Sequence, residues 1–220
     1  MGIAARLEKI RKELPSGVEL ILVSKTKSPE EILEAYDAGQ RIFGESKVQE
    51  LLPKTEKLPK DIQWHMVGHL QSNKVKYIVP FISLIHSVDS AKLLKVINKE
   101  GRKNNRTIPC LLQMHIADES SKFGMDHDEL CQLLDSDTFK EMHHVEIRGL
   151  MGMATFTSDT EKVKAEFRQL RTSFDYIKQN QFSDQTSFRE ISMGMSDDYN
   201  IAIGQGSTMV RIGSAIFGER

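Results

Sequence analysis

A chain of 220 residues, 39% hydrophobic and 28% charged, carries enough apolar mass for a substantial core. Its 30 basic and 31 acidic residues leave a formal charge of −1, which excludes a general electrostatic case for nucleic acid or an anionic membrane, so any anion site must be local. Its 2 cysteines, Cys110 and Cys131, lie far from CxxC spacing, make no disulfide framework and fit a reducing cytoplasm.

The opening MGIAARLEKIRKEL reads as an amphipathic helix with Ile3, Leu7, Ile10 and Leu14 on one face. It lacks the apolar run of a signal peptide, Arg6 stands where a myristoylation motif wants Ser or Thr, and no stretch approaches membrane-spanning length. After Pro15-Ser16-Gly17 comes a strand, Val18 to Ser24. The next helix starts at Pro29, with Ser28 as cap and Glu31 reaching back to it, and stops at Gly39. A short strand, Arg41 to Phe43, leads into Gly44-Glu45-Ser46; Ser46 and Gln49 spell a second capping box, and Pro53 is expected to interrupt that helix.

Ile62 to Val67 is the third strand, closed by Gly68-His69, and Gln71 to Val79 is helical up to Pro80. Phe81 to Val88 is strand four, Ser90 to Lys99 a helix ending near Gly101, and Ile108 to Ala117 strand five. A polar loop, Asp118 to Met125, precedes a helix begun by Asp126 with Glu129. Val145 to Met151 is strand six, Ser158 with Glu161 caps a long helix to Gln179, and Phe188 to Met193 is strand seven. A short helix starts near Ser196, and Met209 to Ile212 is strand eight. Strands alternating with helices, without a linker, repeat or heptad run, predict an α/β fold: a single (β/α)8 TIM barrel over residues 1–220 with an extra N-terminal helix. An open doubly wound sheet is the alternative, since periodicity does not show closure.

In a barrel the C-terminal strand ends share one face, so their residues converge. Here they read Lys25, Gly44-Glu45-Ser46, Gly68-His69, Ser87, Ala117-Asp118, Gly152, Ser192 to Ser196 and Arg211 to Ser214. Lys25, on a strand lip, can be partly desolvated and act as an amine nucleophile towards a carbonyl, including an aldehyde cofactor. Ser192, Gly194, Gly213 and Ser214 occupy the loops after strands seven and eight, where barrels often bind phosphate. Arg211 points either into the barrel mouth or into the core wall, and its guanidinium requires an acceptor. A lysine, a phosphate cradle and an inward arginine on one lip together describe a pyridoxal phosphate site. His65 and His69, on a strand and its loop, are too far apart to share a metal, and Asp197-Asp198 simply complement a helix dipole, so no metal is expected.

The blocks LILVSKTKSPEEI, AGQRIFGESKVQE, WHMVGHLQSNKVKYI, HSVDS, IADESSKFG, IRGLMGMA, SMGMSDDYNIAI and GSTMVRIGSAIFGER resemble the pyridoxal phosphate homeostasis proteins, the YggS/PROSC family, over essentially the full length. The resemblance implies a fold like the N-terminal barrel of alanine racemase, with pyridoxal 5'-phosphate held as a Schiff base on Lys25. It implies Ser192, Gly194, Gly213 and Ser214 as phosphate binders, Arg211 facing the pyridine nitrogen, and Asn73 at a polar position of the LQxNK block. Ser46 replaces the asparagine of the family's usual Gly-Glu-Asn, so it is either a remaining contact to the cofactor ring or only a helix cap. His115 replaces the usual asparagine at the end of strand five and adds a titratable group.

Two functions use Lys25: a carrier or regulator in vitamin B6 homeostasis, and an amino-acid racemase or lyase. Racemisation needs a second base, which in the resembling racemases is a tyrosine supported by a β-domain that this sequence does not contain. Tyr36, Tyr77, Tyr176 and Tyr199 fall in helices, and an arginine at the pyridine nitrogen weakens the ring as an electron sink. The expectation is therefore a cytoplasmic, monomeric binding protein without robust turnover. Its partners would be pyridoxal phosphate and the apo-forms of enzymes that need it.

Overall fold

The computed structural model describes residues 2–117 and 123–218; of the polar loop read from the sequence, Asp118 to Lys122 lie outside the described residues. Eight parallel strands close into a barrel in sequence order: β1 (Glu19–Val23), β2 (Ile42–Glu45), β3 (Gln63–Met66), β4 (Leu84–Val88), β5 (Ile108–Gln113), β6 (Val145–Met151), β7 (Glu190–Ser192) and β8 (Met209–Ile212). The seam is a full ladder, with Ile21 opposite Arg211 and Leu22 opposite Ile212, so the open-sheet alternative falls. Around the barrel run α1 (Ile3–Glu13), α2 (Pro29–Asp37), α3 (Val48–Lys57), α4 (Val75–Ile78), α5 (Ala91–Lys103), α6 (His127–Asp135), α7 (Asp137–Lys140), α8 (Thr160–Asn180), α9 (Tyr199–Gly204) and α10 (Ser214–Phe217).

Strand alternation divides the apolar residues into two cores. Leu20 and Leu22 point outward and join the large layer between barrel and helices, where the buried face of α1, Ile3, Leu7 and Ile10, also packs. Ile21, between them, points inward and meets Leu84, Leu111, Met151 and Met209 in a small plug inside the barrel. Each such side chain contributes about 1.5–3 kcal/mol on burial. The plug fills the middle of the barrel and leaves the space above it, at the C-terminal strand ends, for a site.

The local signals at Ser28-Pro29-Glu31 and Asp126-Glu129 form the capping boxes expected of them, and Gly39 adopts φ 87° just beyond α2. Four expectations need correction. Ser46 and Gln49 do not cap α3: β2 runs on through Glu45, two residues past Phe43, and displaces the helix start to Val48 with Lys47 at the cap. Pro53 lies inside a continuous α3, where it removes one backbone bond to Gln49, while the next residue, Lys54, ties that turn to the barrel. Asp159, not Ser158, caps α8, accepting from the N–H groups of Glu161 and Lys162. Gly101 does not end α5 but sits within it, where a Cβ would come 2.8 Å from the His144 carbonyl oxygen.

Candidate functional site

β1 ends in a turn built to present Lys25. Ser24 is fully buried outside the barrel wall; its hydroxyl donates to Glu45 Oε1 at 2.6 Å and its carbonyl accepts from Lys54 Nζ at 2.9 Å. Lys54 Nζ also donates to Glu45 Oε1 at 2.6 Å, so a buried ion pair clamps the residue before the lysine. Burial pushes the Glu45 carboxyl up, against the lowering effect of Lys54 and Ser24. On the other side Thr26 is held at φ 65°, a left-handed conformation unfavourable for a β-branched residue, with its N–H donated to Glu50 Oε2 at 2.9 Å.

Lys25, between these restraints, is exposed rather than partly buried as the sequence suggested, and lines a cavity of about 480 Å³ at the C-terminal face. Lys27 lines it too, but its ammonium lies 3.3 Å from Glu31 and over the Phe217 ring, whereas Lys25 has no hydrogen-bond or ion-pair partner among the described residues. The lysine with a free amine is thus the one that the strand-end argument selected.

Ser46, Arg211, Gly213 and Ser214 line the same cavity. Gly213 is required there by contact: a Cβ would stand 2.9 Å from the carbonyl oxygen of Val23 on the neighbouring strand. Ser192, Gly194 and Asn73 are not on its wall. Because β7 ends at Ser192, that side chain follows the inward parity below the lip, fully buried. Gly194 adopts φ 92° beneath α9, where a Cβ would meet Ala202 Cβ at 2.6 Å, and its carbonyl accepts the Arg211 N–H. Asn73 is exposed on the 3-10 turn Ser72–Lys74. His115 is not on the wall either; Gln113, two residues earlier, is.

Arg211 resolves the choice between mouth and core wall by doing both. The side chain is 4% exposed yet reaches the cavity, and its guanidinium donates to the Ser192 carbonyl and hydroxyl, both at 2.7 Å, and to the Gly152 carbonyl at 3.0 Å. All three acceptors are neutral. Burial lowers its pKa to about 10, with Asp198 opposing, so it remains a cation at neutral pH. A buried cation with no bonded carboxylate among the described residues favours an electron-rich group in the adjoining space.

The sequence placed Ser196 among the strand-end residues and near a helix start but gave it no part in binding. It lines the cavity, and its Oγ receives the N–H groups of Gly213 at 3.4 Å and Ala215 at 3.5 Å. Bonds this long are weak, so these donors are available to a better acceptor. His69, also on the wall, is oriented by Asp89 at 2.9 Å, and Met153, Phe156 and Met195 give an apolar rim. His65 does not share a site with His69; it lies inside the barrel against His86. Among the described residues no group of three or more His, Cys, Asp or Glu could hold a metal, and no helix is long and apolar enough to cross a membrane. Both cysteines are free, with thiols pushed up by burial, which leaves neither activated.

A family model described as the alanine racemase N-terminal domain matches residues 2–220. The chain is 38% identical to the pyridoxal phosphate homeostasis protein of Aquifex aeolicus, over 100% of this chain and 99% of that one. It is 36% identical to the protein of the same name in Escherichia coli, over 94% of this chain and 87% of that one. PipY of Synechococcus elongatus, solved with PLP bound, is 37% identical with a TM-score of 0.88, over 98% of this chain and 100% of that one. Alanine racemase from Bartonella henselae, with covalently bound pyridoxal phosphate, is 19% identical with a TM-score of 0.70, over 99% of this chain and 60% of that one, a likeness of fold.

Proposed function

Because this chain belongs to the alanine racemase N-terminal domain family, among its pyridoxal phosphate homeostasis proteins, we propose that it binds pyridoxal 5'-phosphate on Lys25 and serves vitamin B6 homeostasis as a carrier or regulator. The observation that carries this reading is the Lys25 amine, without a partner among the described residues, on a cavity that also holds a buried guanidinium bonded to neutral acceptors. The residues present fit the cofactor. Lys25 would take the aldehyde, Arg211 would serve the ring nitrogen, and the N–H groups of Gly213 and Ala215, with the hydroxyls of Ser196 and Ser214, would receive the phosphate. When bound, pyridoxal phosphate supplies an electrophilic aldehyde and a ring that can accept electrons.

What the chain's own residues do favours holding over turnover. Arg211 can donate a hydrogen bond but cannot accept one, so at the ring nitrogen it favours the unprotonated, weaker electron sink. Tyr199, the tyrosine nearest a strand end, gives its hydroxyl to Glu13 at 2.8 Å, and no tyrosine lines the cavity. The whole chain would act as one binding domain, a cytoplasmic monomer that passes its cofactor to apo-enzymes. A second reading, weak racemase or lyase activity, is favoured by one observation: His69, held by Asp89, places an oriented imidazole on the cavity wall.

The test of the first reading is chemical. The purified protein should be yellow, and borohydride reduction should fix a phosphopyridoxyl group on Lys25. A label on Lys27 or elsewhere, with none on Lys25, overturns the assignment.

A further inference from the structure

Below the cavity a chain of four buried side chains crosses the barrel interior. Arg211 of β8 donates to the Ser192 hydroxyl of β7 at 2.7 Å; that hydroxyl lies 2.9 Å from His86 Nδ1 of β4; and His86 Nε2 lies 3.0 Å from His65 Nδ1 of β3. All four residues are at most 4% exposed, and the two imidazole rings sit 5.1 Å apart. We propose that Ser192, His86 and His65 form a one-way hydrogen-bond relay that fixes the Arg211 guanidinium at the cavity, making His86 a positioning residue for a group on the far side of the barrel.

The direction follows from what each atom can do. A guanidinium only donates, so Ser192 Oγ must accept from it. Among the described residues the remaining neighbour of that hydroxyl is His86 Nδ1, so the hydroxyl hydrogen is satisfied only if that nitrogen carries a lone pair. His86 is then the Nε2–H tautomer and donates to His65 Nδ1, which makes His65 an Nε2–H tautomer as well. Neither ring can hold a second proton without losing its acceptor, and burial, followed by His65 and Arg211, pushes the pKa of His86 down, as burial together with Arg148 pushes His65 to about 3. Ser192, which the sequence offered as a phosphate ligand, thus holds the arginine instead, and His65 and His86 act as its neutral support. The orientation claim stands on contacts alone; its effect on binding rests on Arg211 serving the cofactor.

Two measurements test it. In ligand-free protein with 15N-labelled histidine, long-range 1H–15N NMR should show His65 and His86 both as neutral Nε2–H tautomers; an Nδ1–H or doubly protonated form at either ring overturns the relay. This arm does not involve the cofactor, so it decides the relay even if pyridoxal phosphate fails to bind. In the second arm, His86→Leu breaks the chain, while His86→Gln keeps an acceptor towards Ser192 and a donor towards His65. Losing one such bond should weaken pyridoxal phosphate binding about two- to tenfold, with a shifted absorption band, and Gln should restore most of it. Equal binding by wild type and His86→Leu, or equal loss in Leu and Gln variants of matched thermal stability, overturns the positioning role. Should His86→Leu not fold, Ser192→Ala replaces it, with the same two- to tenfold loss expected and unchanged binding overturning the role.

Discussion

Replacing Lys54 by methionine removes one partner of the buried pair beneath the lysine turn and leaves the stem volume almost unchanged. Glu45 is 0% exposed, and its Oε2 already has no hydrogen-bond partner, so the variant would strand a carboxylate whose one bonded oxygen keeps only the Ser24 hydroxyl. Breaking such a pair costs about 3–5 kcal/mol, which for a chain of this size lowers Tm by roughly 6–20 °C. Glu45→Gln/Lys54→Met should recover much of the loss, because no charge then remains buried. The pH dependence has a definite sign. A carboxyl whose folded pKa lies above its unfolded one contributes stability that is present below the unfolded value, about 4.3, and is lost as pH rises through the folded value. Without Lys54 the folded value climbs further, so Lys54→Met should be weakest at alkaline pH and recover towards pH 4–5. Urea unfolding of both single variants and the double variant, at several pH values, gives the coupling. A loss below about 1 kcal/mol, or the same loss when Glu45 is already glutamine, would refute the description of this pair as buried and coupled.

Three further outcomes are expected. Arg211→Glu should shift the visible absorption of the holo-protein and weaken cofactor retention, because a carboxylate hydrogen-bonds a protonated ring nitrogen; titration with pyridoxal phosphate and a spectrum check this. Incubated with L-alanine, L-serine or L-lysine in deuterated water, the holo-protein should incorporate little α-deuterium, and His69→Gln should abolish what there is; turnover near about 1 s⁻¹ would establish the racemase or lyase reading instead. Gly194→Ala, which forces a Cβ to 2.6 Å from Ala202 Cβ at φ 92°, should lose about 2–4 kcal/mol in denaturant unfolding.

Residues whose meaning depends on a strand end were legible in the sequence; residues whose meaning depends on depth below that end were not. Lys25 could be placed because an apolar run, a polar pair and a capping box follow one another within a few residues, and each signal is local. Ser192 looked equivalent to Ser214, since both sit in the loops after strands seven and eight. A strand of three residues, β7, leaves Ser192 on its last inward position, while Ser214 begins α10 on the lip, a difference in height that composition does not encode. Met193 parity and the turn at Gly194 then carried the hydroxyl at the cavity to Ser196. His65 and His86 were invisible as a pair: each lies on its own strand, and only the barrel brings their rings together. Ser158 and Asp159 show the finer limit, a cap mistaken by one residue where two good capping residues are adjacent.

The seam between β1 and β8 joins the two ends of the sequence, and it also brings Gly213 against Val23 beside the Lys25 turn. Every other strand pair links neighbours in the chain, whereas this one closes the longest loop in the barrel and carries the largest closure entropy. The lysine, the arginine and the short α10 therefore come together only where that most distant strand pairing has formed. A ligand that needs all three recognises nothing short of the finished barrel, so its arrival withdraws molecules from the nearly folded population and slows their return.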